Sequence, residues 1–376
     1  MKIAYINLLQ TKIIGVNQKL DFVARAMKLN GLNIDVIVLN TEINQLINNV
    51  NYIKLPANNF FDTMERKFYR YHQFEKKINL DSYDKIILRW SGLDLSVPRF
   101  LDRYGHKVIS EHHANELIQF KRNIGSVSTF FSYLLTKLMY RRFLRGVSGI
   151  IGVTNEITNS HKLRETIPTF TMTNGIDVDS INFTKFVPFN GRALTIAFMA
   201  SSYSKWHGID RFLKGLKNYK GDVHVNLIII GKFSEIDKKK IKNFQKPNIK
   251  IDFKGIRLGK HLDDILMNSN LAVSTLAFFR VGIRDGCPIK SREYMARGLP
   301  FIYSYDDEDI DGQDGFALKL PADESAIEIL EVIEFAKKVS ADFVNVSKRM
   351  RDYSRENLDW NKKIIKLNDF LMETLS

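Results

Sequence analysis

The sequence predicts an α/β fold in which two doubly wound parallel sheets follow each other along the chain. Short apolar runs alternate with helical patterns throughout, an order typical of parallel strands joined by crossover helices. The alternation restarts after an aperiodic stretch near the middle of the chain, and 376 residues exceed what one core usually holds. Two domains are therefore expected.

The elements of each half are predicted from these runs. In the first half, strands are expected at residues 3–9, 33–39, 85–90, 107–110, 149–153 and 169–173. Helical patterns lie between them, as at 18–29, 62–78 and 129–144. In the second half, strands are expected at 194–199, 224–230, 248–253, 271–276 and 300–303, before a final helical pattern at 360–374.

The boundary between the predicted domains lies in a stretch without a clear period. Asn174-Gly175 is a turn signal, and residues 183–191 fit neither a strand nor a helix. We therefore expect a first domain at 1–185 and a second domain at 186–359.

Composition narrows the function classes. The single cysteine, Cys287, excludes an intrachain disulfide, and no metal-ligand cluster stands out, so we expect a cytoplasmic protein without metal or cofactor. The acidic run 306–309 is expected to form a solvated turn. No run reaches the about 20 apolar residues of a membrane span, and the N-terminus reads as a strand and not as a signal peptide.

The net charge of +14 requires a partner or another explanation. Residues 1–185 hold 25 Lys and Arg against 16 Asp and Glu, so most of the excess lies there. Nucleic acid, anionic lipid and an acidic acceptor are the candidate partners.

Segments 59–77 and 130–145 mix aromatic and basic residues at helical spacing. Such helices either lie on anionic membranes or turn a solvated basic face outward. No known nucleic-acid-binding pattern appears, so nucleic acid is not expected.

The segment from Asp285 to Pro300 carries the clearest functional signal. It follows an apolar run and reads as a polar loop, a short helix and a strand. Pro288 fits the first helical turn and Gly298 fits just past the helix end. The free N–H groups of a helix start bind anions, and carboxylates beside it can accept hydrogen bonds from sugar hydroxyls. Asp285 and Glu293 are those carboxylates, so a phosphate site beside sugar-binding acids is predicted.

This segment resembles the signature of retaining GT-B glycosyltransferases of the group 1 (family four) class. That class carries two glutamates separated by seven residues, the second followed by a small-residue helix and Gly-x-Pro. Here the second acid is Glu293, within the run that ends Gly298-Leu299-Pro300, and the first is Asp285, one methylene shorter than the usual glutamate. The resemblance implies two Rossmann-like domains that face a central cleft, with the C-terminal helix 360–376 crossing back to the first.

The resemblance also implies roles for residues near this segment. Glu293 would bind the ribose hydroxyls, Asp285 a hydroxyl of the donor sugar, and the N–H groups of Gly286 and Cys287 the distal phosphate. Lys205 matches a lysine that neutralises the donor pyrophosphate in the class. Further donor contacts are expected from Ser202, Lys290, Arg257 and Gly15.

Two positions depart from the pattern of the class or leave a choice open. Ala200 stands where the class has an arginine, and Arg280, Arg284 or Lys290 would have to supply the missing charge. In Glu111-His112-His113, one histidine would reach the donor sugar. Glu-x-His spacing in relatives favours His113 over His112.

The expected function is therefore metal-independent, retaining transfer of a sugar from a UDP- or GDP-sugar. Lys205, Asp285 and His113 would carry the catalysis. The acceptor would be a glycan or a lipid-linked glycan, met by the protein in the cytoplasm or on the inner face of the plasma membrane, in cell-surface polysaccharide synthesis. The alternatives are a GT-B nucleotide-sugar epimerase, a phosphorylase and, ranked below these, a non-catalytic basic nucleic-acid-binding protein.

Overall fold

The computed structural model describes residues 1–8, 14–40, 49–56, 59–90, 92–122, 124–183, 185–234, 238, 241, 246–311 and 315–374. The chain forms two compact units. The first comprises Met1–Thr173 together with Trp360–Ser376, and the second comprises Asn174–Asp359. Each unit is built around one parallel sheet.

The first unit contains a seven-stranded parallel sheet. Its strands are β1 (Lys2–Leu8), β2 (Asn33–Asn40), β3 (Val50–Lys54), β4 (Lys85–Arg89), β5 (Val108–His112), β6 (Gly149–Gly152) and β7 (Thr169–Thr171). The spatial order is β3-β2-β1-β4-β5-β6-β7, which reverses direction between β1 and β4. Both faces of the sheet are buried, because successive residues such as Ile3 and Ala4 are fully covered.

Helices connect these strands. They are α1 (Ile14–Leu29), α2 (Phe60–Phe68), α3 (Arg70–Lys77), α4 (Val97–Tyr104), α5 (Glu116–Arg122), α6 (Val127–Gly146) and α7 (Asn155–His161). The longest of them, α6, begins where the Ser126 side chain accepts a hydrogen bond from the N–H of Thr129 in a capping box.

The second unit repeats the plan with a six-stranded parallel sheet. Its strands are β8 (Ala193–Ser202), β9 (His224–Lys232), β10 (Ile249–Gly255), β11 (Leu271–Val273), β12 (Phe301–Tyr303) and β13 (Ala317–Lys319), in the order β10-β9-β8-β11-β12-β13. The helices are α8 (Ile209–Asn218), α9 (Lys260–Met267), α10 (Ile289–Arg297), α11 (Ile329–Ala341) and α12 (Phe343–Tyr353).

The last helix, α13 (Trp360–Glu373), returns to the first unit. Trp360 and Ile364 are buried in the same apolar core as Leu20 and Val23 of α1 and Ile3 of β1. This helix therefore covers one face of the first sheet. Among the residues that the structure describes, no helix is both long enough and apolar enough to cross a bilayer.

The predicted fold class is confirmed, because both halves form doubly wound parallel sheets. The predicted helix at 62–78 is two helices that break at Tyr69, whose φ of −139° is not helical. Strands β3 and β13 were not predicted, since each is a short edge strand without a clear apolar run.

The expected boundary at residue 185 is too late in the chain. Residues that follow Thr173 already pack on the second unit. The side chain of Asn174 donates a hydrogen bond to the carbonyl of Cys287 over 2.8 Å, and Arg351 donates to the carbonyl of Ile181 over 2.9 Å. These contacts bind the aperiodic linker to the second unit, although its sequence shows no secondary-structure period.

Candidate active site

The carboxyl ends of β8 and β11 lie side by side at the switch point of the second sheet. The chain adds β9 and β10 on one side of β8 and then returns to place β11 on the other side. In open α/β sheets, ligands bind in the crevice beyond the strand ends where the order reverses. The segments that follow β8 and β11 therefore form the candidate site.

The segment after β8 turns sharply into the next helix. Ser204 precedes a 3-10 turn at Lys205–His207, and Gly208 adopts a left-handed conformation with φ of 72°. A Cβ at Gly208 would lie 2.8 Å from the Cβ of Leu276, so only glycine fits. The N–H of Leu276 also donates to the carbonyl of His207 over 3.1 Å, which ties the two segments of the site together.

Lys205 is placed as a free cation at this turn. Its side chain is exposed and lines an open cavity of about 660 Å³ with Tyr203, Trp206 and Arg280. Within the described part of the chain, the Lys205 ammonium forms no ion pair. Ser202, the last residue of β8, is exposed close to it in sequence.

Arg280 cannot replace the arginine that the sequence lacks at position 200. Its guanidinium forms paired hydrogen bonds with Asp210 at 2.8 and 2.7 Å, and it also binds Glu324 and the carbonyl of Lys205. These contacts use all five N–H donors of the side chain. The two carboxylates hold the pKa of Arg280 above its usual value, so its charge is already balanced within the protein.

Helix α10 starts beside β11 and is fixed there by hydroxyl groups. The Oγ of Ser291 lies 2.7 Å from the Oγ of Ser274 and 2.5 Å from the hydroxyl of Tyr305. Pro288 is the N-cap, one position before the first turn where it was expected. Gly298 ends the helix in a left-handed conformation with φ of 73°, as predicted.

The N–H of Gly286 is not available to a phosphate in this structure. It donates to the carbonyl of Asp306 over 2.8 Å, and the backbones of Asp285 and Asp306 form an isolated bridge. The expected phosphate contact from this N–H is therefore not what the structure shows. Gly286 is needed for another reason, because a Cβ there would lie 2.5 Å from the Phe278 ring.

The acidic run 306–309 is not a solvated turn, which corrects the sequence prediction. Asp307 is buried and pairs through both carboxylate oxygens with the buried Arg292, which also binds Asp309 over 2.6 Å. The Nε of Arg292 donates to the carbonyl of Asn174 over 3.1 Å. Burial alone would lower the pKa of Arg292, but the two carboxylates hold it well above its usual value. This pair anchors α10 to the loop that follows β12.

Glu293 lies on the next turn of α10 with its carboxylate held in one orientation. Arg297, four residues further on, donates to Oε1 of Glu293 over 2.8 Å and pairs with Asp263 over 2.6 Å. The Glu293 side chain keeps 17% of its surface exposed. Its second oxygen, Oε2, accepts no hydrogen bond from any described residue, so it remains open to a ligand hydroxyl.

The other residues predicted for the site in the second unit are Lys290, Asp285 and Cys287, close to the start of α10, and Arg257, just beyond β10. The Nζ of Lys290 lies 3.4 Å from the carbonyl oxygen of Met199 in β8. Asp285 is half-buried, and Cys287 is buried with its sulfur 3.5 Å from the N–H of Asn174. Arg257 is exposed two residues beyond β10, where its guanidinium donates to the neighbouring carbonyl of Ile256.

In the first unit, the side chains of His112 and His113 differ in exposure and in partners. His112 is fully buried, whereas the His113 side chain keeps 21% of its surface exposed and lies 3.1 Å from Oε1 of Glu111. Burial, together with the charges of Arg89 and Lys19, lowers the pKa of His113 to about 3. His113 is therefore a neutral imidazole at pH 7 and can accept or donate one hydrogen bond.

His112 belongs instead to a buried cluster that the sequence did not reveal. His112 and His161 both bind Oε2 of Glu116, at 3.1 and 2.8 Å, and these three are residue types that ligate metals. The other ring nitrogens contact Ser110 and the carbonyl of Ile157, so every nitrogen has a partner without an ion. The cluster was not predicted, because His161 lies 45 residues beyond Glu116 and meets it only in the folded unit.

Gly15 lies in the first turn of α1, which begins at Ile14, and not in a loop before the helix. The rest of the predicted glycine loop, residues 9–13, lies outside the described residues. Arg297 was also missed, although its spacing of four residues from Glu293 on a helix is a recognised pairing signal. Nothing in the sequence indicated that Asp307 would be buried.

Two Rossmann-like parallel units, with a polar site at the switch point of the second, define the GT-B fold. The family model for group 1 glycosyl transferases matches residues 193–334, which span this site. Over its whole length, the chain is similar in structure to a glycosyltransferase from Rickettsia africae ESF-5. The TM-score is 0.68 at 14% identity, and the match covers 100% of this chain and 99% of that one.

Two further solved structures share the fold. WaaG, a glycosyltransferase involved in lipopolysaccharide biosynthesis, matches with a TM-score of 0.64 at 13% identity, over 97% of this chain and 99% of its own. Anabaena Alr3699/HepE in complex with UDP-glucose matches with a TM-score of 0.61 at 13% identity, over 100% and 99%. No curated protein sequence matches the chain. The fold and the family match together support a GT-B glycosyltransferase.

Proposed function

We propose that the protein is a retaining glycosyltransferase that moves a sugar from a nucleotide-sugar donor to a glycan or a lipid-linked glycan. One observation carries the proposal: the group 1 match spans the segment in which Lys205, Lys290 and Glu293 follow the carboxyl ends of neighbouring strands. The second unit would bind the donor. WaaG, named above for lipopolysaccharide biosynthesis, supports a role in cell-surface polysaccharide synthesis. HepE, named above for its complex with UDP-glucose, supports a UDP-sugar, with a GDP-sugar as the alternative donor.

The donor would be held by charge and by hydroxyl contacts. The open oxygen of Glu293 would accept hydrogen bonds from the ribose, and Asp285 would bind a hydroxyl of the transferred sugar. Lys205 and the first-turn N–H groups of α10 would stabilise the negative charge that develops on the leaving diphosphate. These groups would do the work that a metal ion does in other enzymes. The departing phosphate itself would take the acceptor proton, on the same face of the sugar.

Transfer is tested with UDP-glucose, UDP-galactose and GDP-mannose against a membrane lipid extract as acceptor. We expect one donor to yield a new glycosidic product whose anomeric configuration, read by NMR, equals that of the donor. Activity should survive EDTA, because cationic side chains stabilise the leaving group. Inverted product, or activity restored by Mn²⁺ alone, would contradict the mechanism. Donor epimerisation without acceptor, or phosphorolysis of a glycan, would indicate the alternative enzymes.

We also propose that the first unit docks on anionic membranes through α6. Its solvent-facing residues Val127, Phe130, Phe131, Leu134 and Leu138 form one exposed apolar stripe at helical spacing. Val127 and Leu138 are 74% and 66% exposed. Exposed apolar side chains that form one continuous patch are typical of a surface that binds a partner or a membrane. The last turns of the same face carry exposed basic residues, Arg141, Arg142 and Arg145. An apolar stripe followed by positive charge matches the interface of an anionic bilayer.

A second exposed apolar group adjoins positive charge on α2. Phe60 and Phe61 are 71% and 80% exposed at the start of this helix; Arg66 follows on the same helix and Arg70 begins α3. A lipid-linked acceptor would then be met by the first unit at the cytoplasmic leaflet. Binding of anionic lipid by these basic segments would account for the excess of positive charge in residues 1–185.

Vesicle co-sedimentation tests the docking. The protein should bind vesicles of phosphatidylcholine mixed with phosphatidylglycerol, release them at high salt and ignore phosphatidylcholine alone. Replacing Arg141, Arg142 and Arg145 by glutamine should weaken binding about a hundredfold, since each basic residue contributes about 1 kcal/mol. The matched control removes three exposed lysines of the second unit, Lys337, Lys338 and Lys348. Equal losses in both variants would show a nonspecific charge effect and overturn the assignment to α6.

A further inference from the structure

Lys290 is a cation of the candidate site that pairs with no acidic side chain among the residues that the structure describes. It is the second residue of α10, is half-buried, and extends toward β8. Its Nζ lies 5.3 Å from the centre of the Phe198 ring and 3.4 Å from the carbonyl oxygen of Met199. No carboxylate of the described residues lies within ion-pair distance of it. An ammonium in this position is poorly solvated and unbalanced.

The charged groups around Lys290 do not relieve this imbalance. Strand β8 offers only the apolar Phe198 and the Met199 carbonyl. The turn after β8 offers His207, whose pKa is lowered to about 3 by burial and by the positive charge of Lys290. On α10 itself, Glu293 is one turn further on and is bound to Arg297. A neutral imidazole and a paired glutamate therefore leave Lys290 without a counter-charge.

Desolvation lowers the pKa of the Lys290 ammonium to about 7. The empty protein therefore holds this side chain as a mixture of amine and ammonium at neutral pH. The position adjoins the first-turn N–H groups of α10 and the end of β8, where the proposed donor diphosphate would lie. Two negative charges at this place would favour the ammonium strongly.

We propose that Lys290 takes up one proton from solvent when the donor diphosphate binds beside it, so that nucleotide-sugar and proton bind together. This inference rests on the proposed function, since it assumes a nucleotide-sugar at this site. The Nζ lone pair accepts the proton and no other bond changes. The new ammonium supplies the positive charge that Ala200 cannot provide and that Arg280 has already committed to Asp210 and Glu324.

The sign of the pH effect follows from this linkage. Below the pKa of about 7, Lys290 is already charged in the empty protein and binding takes up little proton. Above it, each binding event must also protonate the amine, so donor affinity should fall about tenfold per pH unit. At pH 8 nearly one proton should be taken up per molecule of donor bound, and at pH 6 nearly none.

Isothermal titration calorimetry with UDP-glucose and GDP-mannose as probes measures this uptake directly. A nucleotide-sugar is preferred to a nucleoside diphosphate, whose terminal phosphate itself titrates near pH 6. The binding heat at pH 8 is recorded in buffers of different ionisation enthalpy, and its dependence on the buffer gives the protons bound. A slope close to one proton is expected for the natural protein with whichever probe it binds.

Three variants separate Lys290 from its neighbours. Lys290→Arg keeps a permanent charge, so it should bind without proton uptake and with little change in affinity between pH 6 and 8. Lys290→Gln should bind more weakly at pH 6 and also take up no proton. Lys205→Gln, which removes the exposed lysine of the same site, should weaken binding but keep the uptake.

The outcomes distinguish this inference from the function on which it rests. Binding without any proton uptake at pH 8 would overturn the role of Lys290 and leave donor binding intact. Uptake that persists in Lys290→Arg would assign the proton to another group, such as His207, whose pKa responds to the charge of Lys290. That result would overturn the proposal as well. If neither probe binds at pH 6, the proposed nucleotide-sugar site is itself contradicted, and the inference falls with it.

Discussion

Replacing Glu293 by glutamine is expected to lower the affinity for the nucleotide-sugar donor by one to two orders of magnitude and to abolish most transfer. The proposed ribose contacts are hydrogen bonds to a charged acceptor, which contribute about 1.5–3 kcal/mol. Glutamine keeps the shape of the side chain but loses the charge, and Arg297 then loses one of its two acidic partners. Calorimetric titration and a transfer assay measure the two effects.

The matched control for this variant is Glu331→Gln on α11. Glu331 is an exposed glutamate of the same unit and lies away from the strand ends that form the site. It should bind donor and transfer sugar like the natural protein. Unchanged donor affinity in the Glu293 variant would remove this residue from the site, even if activity were lost.

Replacing Arg292 by methionine is expected to destabilise the second unit strongly. The substitution removes the only basic partner that the structure shows for the buried Asp307 and leaves the carbonyl of Asn174 without its donor. Breaking a buried ion pair by removing one partner typically lowers the free energy of unfolding by about 3–5 kcal/mol. Urea unfolding followed by circular dichroism should show the loss.

Two further proteins make the Arg292 experiment decisive. Lys348→Met removes an exposed charge from α12 and should change the free energy of unfolding by less than about 0.5 kcal/mol. Arg292→Met combined with Asp307→Asn should recover part of the loss, because the stranded carboxylate is then neutral. If the single variant is as stable as the natural protein, Arg292 does not anchor α10 and the account given for this helix fails.

The doubly wound architecture was predictable because its signal is local and repeated. Fully buried parallel strands are short continuous apolar runs, and runs such as 194–199 and 224–230 are interrupted by clear helical patterns. Strands β3 and β13 were not predicted because neither contains a clear apolar run, whereas the other two edge strands, β7 and β10, were predicted. The linker after Thr173 was misassigned because only tertiary contacts decide which unit it joins.

The site was predictable only in part, for a related reason. Glu293, Lys205 and the capping residues of α10 stand in one or two short segments, where spacing carries information. The partner of Arg292, by contrast, lies beyond β12, and the acidic run there looks like any solvated turn. Packing alone also commits the Arg280 guanidinium to Asp210 and Glu324. The same holds for Lys290, which lies apart from every acidic side chain that the structure describes.

Helix α13 has a consequence for how the chain is made. One face of the first sheet packs against Trp360, Ile364 and Leu367, which are translated only after the whole second unit. The second unit is complete before this helix emerges, whereas the first unit waits for it with apolar surface uncovered. Vectorial synthesis therefore reverses the order of completion: the half that is translated first is the half that finishes folding last.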